Sequence, residues 1–397
     1  MSEQDSTKVL IVSQFYPPES MGGAHRWEKI SRHLDDSIEP HVLTTFPTFP
    51  FGEFERRWRP VSRETREGVP VTRLFTYQPE SDSTIGRIFN YGIFSVLSTI
   101  YVLLTFWRYD CVVTMSAPHT TFLPGLVGKL TGRVWVIDIF DLWLDNAADL
   151  GYVDEDSFLF RAVGYLERVS FAKTDEVFVI TETMAAYYEA KHPSTSLNIS
   201  VIPFGVNVEM FSPDIESEYT TDVIHAGNLG TGQSFIPFLE GFVELSEDVE
   251  LTIVGDGERR EELQKFVRNR DIDDSVHFTG YVDRSEIPGR VAGATVSLVP
   301  LKTDYELDYA CPTKLLESMS VGTPFVASAV AEIEKASEES DAGIAVENEA
   351  THVKEALEEL LTNREMRKTM GWNGVEHIEN NHDWKTISQD VAMVLSK

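Results

Sequence analysis

The chain has 397 residues, with 64 acidic against 34 basic side chains and a formal charge of −30. So acidic a surface argues against non-specific nucleic-acid binding, which needs Lys and Arg on the phosphates, and a hydrophobic content of 42% excludes a disordered chain. The length exceeds one ordinary core and predicts two domains. The acidic excess is spread along the chain and suits a protein adapted to high salt, where screening removes self-repulsion. A halophilic source is the expectation, with an acidic mesophilic enzyme as the alternative. Cys111 and Cys311 are the two cysteines. They stand in unlike contexts without zinc spacing, so a reducing cytoplasm is expected, with no disulfide framework and no zinc site. The polar start Met-Ser-Glu-Gln-Asp is not that of a secretory signal.

In chain order, residues 8–13 form a short apolar run expected as a buried parallel strand. A loop over 14–24 with Pro17, Pro18, Gly22 and Gly23 leads into a helical pattern at 25–34. Strand, glycine-bearing loop and helix make a place where backbone N–H groups meet a phosphate or sugar. The pattern is not GxGxxG, and Gly22-Gly23 alone serves a tight turn equally well. Strands are expected at 41–45 and 71–75. Between them, over 52–73, Arg56, Arg57, Arg59, Arg63, Arg66 and Arg73 outweigh the acidic residues. The plain reading is a solvated loop; an arginine island in so acidic a chain also points to an anionic partner.

Residues 88–107 carry no charge between Arg87 and Arg108, and approach the roughly 20 residues of a membrane span. A strand pattern resumes at Cys111, so spanning would split one sheet across a bilayer. The run is therefore expected as a helix that is partly core and partly an apolar surface entering a membrane, with a wholly buried helix as the alternative. Strands at 111–115, 134–138, 176–180 and 200–202 alternate with helices near 120–130, 158–172 and 182–190, which means βα units on a parallel sheet. His119 and Asp141 follow strand ends, where ligands bind in such sheets, although residues there also serve as caps and turns.

Residues 203–220 read as a linker. Strands at 222–226, 250–254, 275–278 and 294–299 follow, with helices near 234–245, 258–268 and 285–292. The loops Gly227-Asn228-Leu229-Gly230 and Gly255-Asp256-Gly257 sit after strands, as a nucleotide site or as plain turns. Over 309–326 a loop becomes a helix that Gly322 and Pro324 stop. Pro312 suits the first helical position, the free N–H groups of that turn attract an anion, Lys314 adds a full charge, and Glu317 lies one turn on along the same face. An ordinary amphipathic helix is the plain alternative. Beyond 326 the chain is expected to be helical to its end, with Trp372 and Trp384 as packing anchors.

This ordered set resembles the retaining glycosyltransferases of family 4, closest to the branch that builds surface polysaccharides and lipid-linked glycans. The matching motifs are Phe15-Tyr16-Pro17-Pro18-Glu19 with Gly22-Gly23-Ala24 and Arg26, Phe46-Pro47-Thr48-Phe49-Pro50-Phe51-Gly52, and Asp138-Ile139-Phe140-Asp141-Leu142-Trp143. They continue with Val201-Ile202-Pro203-Phe204-Gly205-Val206-Asn207, Ala226-Gly227-Asn228-Leu229-Gly230, Val254-Gly255-Asp256-Gly257, and Pro312-Thr313-Lys314-Leu315-Leu316-Glu317 with Gly322-Thr323-Pro324. The resemblance implies an α/β protein of the GT-B fold: two Rossmann-like domains facing across a cleft. Residues 1–203 would bind the acceptor, 204–375 the nucleotide sugar, and 376–397 would form a helix returning to the first domain. Taken with the acidic excess, it points to a halophilic archaeon.

The resemblance further implies donor contacts from Glu317 on the ribose, Lys314 on the diphosphate, Pro312, Thr313, Asn228 and Gly230 around them, and Tyr281 near the base. Gly22, Gly23 and Arg26 would approach from the other side. His119 and Asp141 would orient donor or acceptor and assist proton transfer, with Arg56, Arg57, Arg59 and Arg63 toward the acceptor or a membrane. The implied partners are a UDP- or GDP-linked sugar and a polyprenyl- or dolichyl-phosphate type of acceptor at the inner face of the cell membrane. No metal and no cofactor besides the co-substrate are implied, and Asp154-Glu155-Asp156 is read as a chance triplet. Two departures stand out: Tyr309 replaces a family glutamate that contacts the donor sugar, with Glu306 or Asp308 as substitutes, and the loop 227–233 lacks the usual Arg and Lys. A nucleotide-sugar 2-epimerase of the same fold and a non-catalytic subunit of a transferase complex are the rival readings.

Overall fold

Short runs of β-branched residues place fourteen strands in two sheets in the computed structural model, which describes residues 6–19, 23–81, 83–149, 153–245, 248–303 and 308–396. The first sheet comprises β1 (Thr7–Val12), β2 (Ile38–Thr45), β3 (Val61–Arg66), β4 (Val69–Leu74), β5 (Cys111–Met115), β6 (Val134–Ile139), β7 (Glu176–Val179) and β8 (Ile199–Val201). Their order is β3-β4-β2-β1-β5-β6-β7-β8, parallel except for the β3–β4 hairpin. The second comprises β9 (Thr221–Ala226), β10 (Leu251–Val254), β11 (Val276–Gly280), β12 (Ala294–Val299), β13 (Phe325–Ser328) and β14 (Gly343–Val346), in the order β11-β10-β9-β12-β13-β14 and parallel throughout. Each order reverses once, beside β1 and beside β9, and such reversals open a crevice at the carboxyl ends of the strands. The chain divides into two compact units, Met1–Pro203 with Ile387–Lys397, and Phe204–Thr386.

The first unit hangs on one buried ion pair. Arg26 and Asp138 are both fully buried, and the Arg26 guanidinium donates to Asp138 at 2.9 and 3.2 Å. Its other nitrogens donate to the carbonyls of Pro203 (2.8 Å) and Ile202 (2.7 Å), while Trp27 Nε1 donates to Asp138 at 2.7 Å. The pair thus joins the helix Arg26–His33 to the end of β6 and to the last residues of the unit. Near the chain's end, Ser388 Oγ donates to the Ile30 carbonyl at 3.0 Å.

Several elements differ from the sequence-based expectations. Residues 61–66 are a strand, not loop: Glu67 and Gly68 both take positive φ (50° and 82°), the geometry of a two-residue hairpin turn. The charged side chains of β3 suit an exposed edge. Within the arginine island, Arg66 pairs with Glu28, and Arg73 is buried on Glu64 and the carbonyls of Thr45 and Pro17. Residues beyond 326 are not all helical, because β13 and the four-residue run Gly-Ile-Ala-Val of β14 complete the second sheet. Trp372 is 72% exposed and anchors nothing, whereas Trp384 is buried.

The apolar run is a helix over Thr84–Leu103, capped by Ser83 accepting from Gly86 N. Ser98 donates to the Phe94 carbonyl and Thr99 to that of Ser95, while Ser95 donates outside the helix to the Thr120 carbonyl. One face, with Tyr91, Phe94 and Val102, is core; the other leaves Ile85, Phe89, Val96, Ile100 and Leu103 exposed.

Removing one charge of a buried pair strands the other, at a cost of about 3–5 kcal/mol. Asp138→Ala is therefore expected to lower the unfolding free energy by about that amount, read from urea denaturation in high salt. A loss within experimental error would show that the pair does not hold the unit.

Candidate functional site

In the second unit, the ends of β9 and β10 meet backbone to backbone. Gly227 N donates to the Val254 carbonyl at 2.9 Å, Gly255 N to that of Gly280 at 2.9 Å, and Leu229 N to that of Asp256 at 3.0 Å. Gly255 has a φ of +125°, and a Cβ there would lie 2.0 Å from the Gly227 carbonyl oxygen. A Cβ on Gly257 would lie 2.6 Å from the Leu229 carbonyl. Both glycines are therefore dictated by the crossing of the two loops.

The helix Thr313–Ser320 aims its N-terminus at the same end of the sheet. Pro312 is its N-cap and not its first helical residue, so no side chain caps the first turn. Those N–H groups and the helix dipole favour an anion. Lys314 Nζ donates to Gln233 Oε1 at 2.9 Å and lies 3.1 Å from the space that a Cβ on Gly227 would fill. The ammonium thus rests on the bare backbone of the β9 loop. Burial pushes Lys314 down to about 8, against the opposing pull of Glu317.

Glu317, one turn on, is ion-paired with Arg284, whose guanidinium also lies 4.9 Å over the Phe211 ring. Burial raises the Glu317 carboxyl above the usual range, with Arg284 and Lys314 pulling it back. Beneath Gly227, the buried His225 donates from Nδ1 to the Leu298 carbonyl at 3.0 Å; burial and then Lys314 hold it well below its ordinary pKa. It is neutral, and its Nε2 is a bare acceptor without a partner among the described residues.

Of the expected donor residues, Asn228, Gly230, Pro312, Thr313, Lys314 and Glu317 lie on the β9 loop and this helix, and Tyr281 stands 81% exposed just beyond β11. Sequence reasoning missed His225, Arg284 and Arg259. Arg259 donates to the Gln233 carbonyl at 2.6 Å, so a cation does reach the loop 227–233, from the start of the next helix. The available signals were a histidine inside an apolar strand and arginines just after strand-end turns. Tyr309 is buried, and Glu306 lies outside the described residues.

In the first unit, Gly22 lies outside the described residues. Gly23 is small because the Phe140 ring packs on it, 2.2 Å from where a Cβ would stand. Arg26 is fully buried and donates to Asp138 and two carbonyls, so its guanidinium serves here as a structural brace. His119 also differs from expectation. It has no exposed surface, stacks on Phe122 at 4.7 Å and meets the Trp143 ring at 5.6 Å. Its Nδ1 lies 3.5 Å from Glu167, which Lys191 approaches at 3.1 Å. Burial pushes His119 down to about 4, with Glu167 opposing, so the ring is neutral at physiological pH.

Asp141 is half-buried, accepts from Asn146 at 2.6 Å, and lines a cavity of about 570 Å³. Arg56, Arg57, Arg59 and Arg63 are exposed, Arg56 paired with Glu80 at 3.1 Å. The acidic triplet 154–156 is a turn, in which Asp154 accepts from the Asp156 N–H and Asp156 pairs with Arg161.

Residues 21–205 match the family described as Glycosyl transferase 4-like domain, and residues 220–363 the family Glycosyl transferases group 1. An uncharacterized glycosyltransferase of Methanocaldococcus jannaschii is 21% identical over 409 residues, covering 98% of each chain. A GDP-mannose-dependent alpha-(1-6)-phosphatidylinositol monomannoside mannosyltransferase of Mycobacterium tuberculosis is 26% identical over 69% of this chain and 81% of its own. Among solved structures, Anabaena HepE in complex with UDP superposes with a TM-score of 0.72 at 16% identity, covering 98% of this chain and 100% of that one. The fold is GT-B.

Gly255→Ala forces a Cβ into the Gly227 carbonyl at a left-handed φ, and is expected to cost about 1–3 kcal/mol and to displace Lys314. Thermal unfolding and the Lys314 titration read the two effects. Unchanged values for both would mean that the loops are free to part.

Proposed function

We propose, for a chain that belongs to the family 4-type glycosyltransferases, that it moves a sugar from a nucleotide diphosphate donor to a lipid-linked acceptor with retention at the anomeric carbon. The observation that carries this reading is the Lys314 ammonium held over Gly227, beside an uncapped helix N-terminus, at the reversal point of the second sheet. That is an anion site with the carboxyl of Glu317 one helical turn away, the spacing that suits a diphosphate followed by a ribose diol. The UDP bound by HepE and the GDP-mannose dependence of the mycobacterial relative support a nucleotide sugar.

Departure of the diphosphate builds negative charge on its outer phosphate and leaves an oxocarbenium-like carbon. Lys314 and the helix N–H groups stabilise that charge as it forms. The departing phosphate oxygen takes the acceptor's proton, so the step assigns no dedicated base and no metal. Asp141, at the cavity of the first unit, is placed to orient an acceptor hydroxyl. His119 acts from inside the wall, holding Trp143.

The acceptor reading rests on the exposed apolar face of Thr84–Leu103 and on the exposed Arg56, Arg57, Arg59 and Arg63. The phosphatidylinositol monomannoside in the mycobacterial relative's name supports a lipid. The reading places the protein on the cytoplasmic face of a cell membrane, in high salt, in the assembly of surface glycans or protein glycosylation.

Lys314→Ala is expected to lower kcat/KM for donor turnover by about 10²–10³-fold, measured with lipid phosphate acceptors in high salt beside Glu317→Ala. Full activity in both variants would place the donor elsewhere, and epimerised free nucleotide sugar would favour an epimerase. Because the ammonium is lost above about pH 8, the Kd for UDP or GDP should rise across about pH 7 to 9.5. An affinity that is flat over that range would contradict the role of Lys314. Replacing Phe89, Ile100 and Leu103 together with serine should abolish flotation with anionic vesicles while leaving the circular dichroism unchanged; unchanged flotation would remove the membrane face.

A further inference from the structure

The cavity beside Asp141 has no assigned occupant. It lies in the first unit, between the start of the helix Thr84–Leu103 and the helices Trp143–Asp149 and Phe158–Phe171. Ile88, Tyr91, Trp143, Leu144, Phe160 and Val163 make its walls largely apolar, and Arg87, Asp141 and Asn146 supply its polar points. Its volume of about 570 Å³ falls within the usual range of small-molecule sites.

Gly92 is the second observation. It stands in the interior of a helix of 20 residues, where glycine is unfavourable relative to alanine. Two glycines of the helix Phe122–Leu130 have a packing reason: a Cβ on Gly125 would lie 2.0 Å from the Trp135 ring, and one on Gly128 would lie 2.9 Å from Val112. A Cβ on Gly92 would meet nothing within 4 Å. Packing does not require this glycine, and its missing side chain widens the cavity that it lines.

The character of the occupant follows from the mouth. Ile88 and Leu159, one from each flanking helix, line the cavity and remain 45% and 40% exposed. Ile85, Phe89 and Phe158 continue the exposed apolar surface beside them. An apolar hole opening through an apolar rim, with a guanidinium on its wall, fits an aliphatic chain attached to an anionic headgroup.

We propose that this cavity holds the first segment of the acceptor's aliphatic tail, next to its phosphate, with Gly92 keeping the space open. The proposal rests on the lipid-acceptor reading above and names the part of the acceptor that the protein reads.

The test is calorimetric binding of farnesyl phosphate and of n-dodecyl phosphate to the full chain without nucleotide sugar, with inorganic phosphate as the control. Gly92→Phe fills the cavity from one wall, and Val163→Phe from the other. Gly92→Ala adds one methyl group to the wall and should melt at a higher temperature. Each filling variant is expected to weaken alkyl phosphate binding at least about tenfold, the effect of about 1.4 kcal/mol, and Gly92→Ala by a smaller factor, while UDP or GDP binding stays at the parental value in all three. The better-bound probe identifies an isoprenoid or an acyl chain. Parental affinity in both filling variants, or equal binding of inorganic phosphate, overturns the proposal even if sugar transfer continues. Loss of alkyl phosphate binding in a protein that transfers no sugar leaves the cavity standing and removes the transferase reading.

Discussion

The site in the second unit depends on how closely Gly255 approaches the carbonyl of Gly227. A side chain on either residue would separate the ends of β9 and β10 or push Lys314 away. With both bare, the lysine is drawn off solvent onto the backbone, and its proton becomes weakly held at about 8. A solvated lysine near 10.4 would already have its shell of water. This one lacks part of that shell, and an arriving anion supplies what burial removed. The same crossing seats His225 beneath the loop as a neutral acceptor and brings Arg259 onto the Gln233 carbonyl.

The strands β4-β2-β1-β5-β6-β7 follow the same order as the second sheet, yet the two sheets use the ends of their strands differently. In the first unit Arg26 is spent on Asp138, and His119 lies with Glu167 and Lys191 inside the wall. Against its burial, the hydrogen bond to His192 and the nearby Lys191 hold the Glu167 carboxyl down to about 2. What this unit presents outward is apolar surface, a cavity with a few polar points, and four exposed arginines. The second unit keeps its cations at the ligand end, where Lys314 and Arg284 balance Glu317.

Much of this was legible in the sequence because it is local. Parallel strands buried on both faces read as apolar runs, and Lys314 and Glu317 are neighbours on one helix. What was missed depends on partners far apart in the chain. Arg26 has the right chemistry for a phosphate, and its burial is decided by Asp138, 112 residues later. Glu317 meets Arg284 across 33 residues, a spacing with no periodicity to betray it. β3 escaped because its composition is that of an exposed edge, and the overlooked turn signal was Gly68, which with Glu67 takes the positive φ of the hairpin. The open space beside Gly92 is made by helices distant in the chain and has no local signal in the sequence.

The most direct test of the central claim is the proton balance of nucleotide binding. Calorimetry of UDP or GDP binding near pH 8, in buffers of different ionisation enthalpy, counts the protons taken up. If Lys314 is half-neutral when free and fully charged when bound, uptake of about half a proton per nucleotide is expected, and it should vanish in Lys314→Met. Binding without proton uptake by the parent protein would contradict the account.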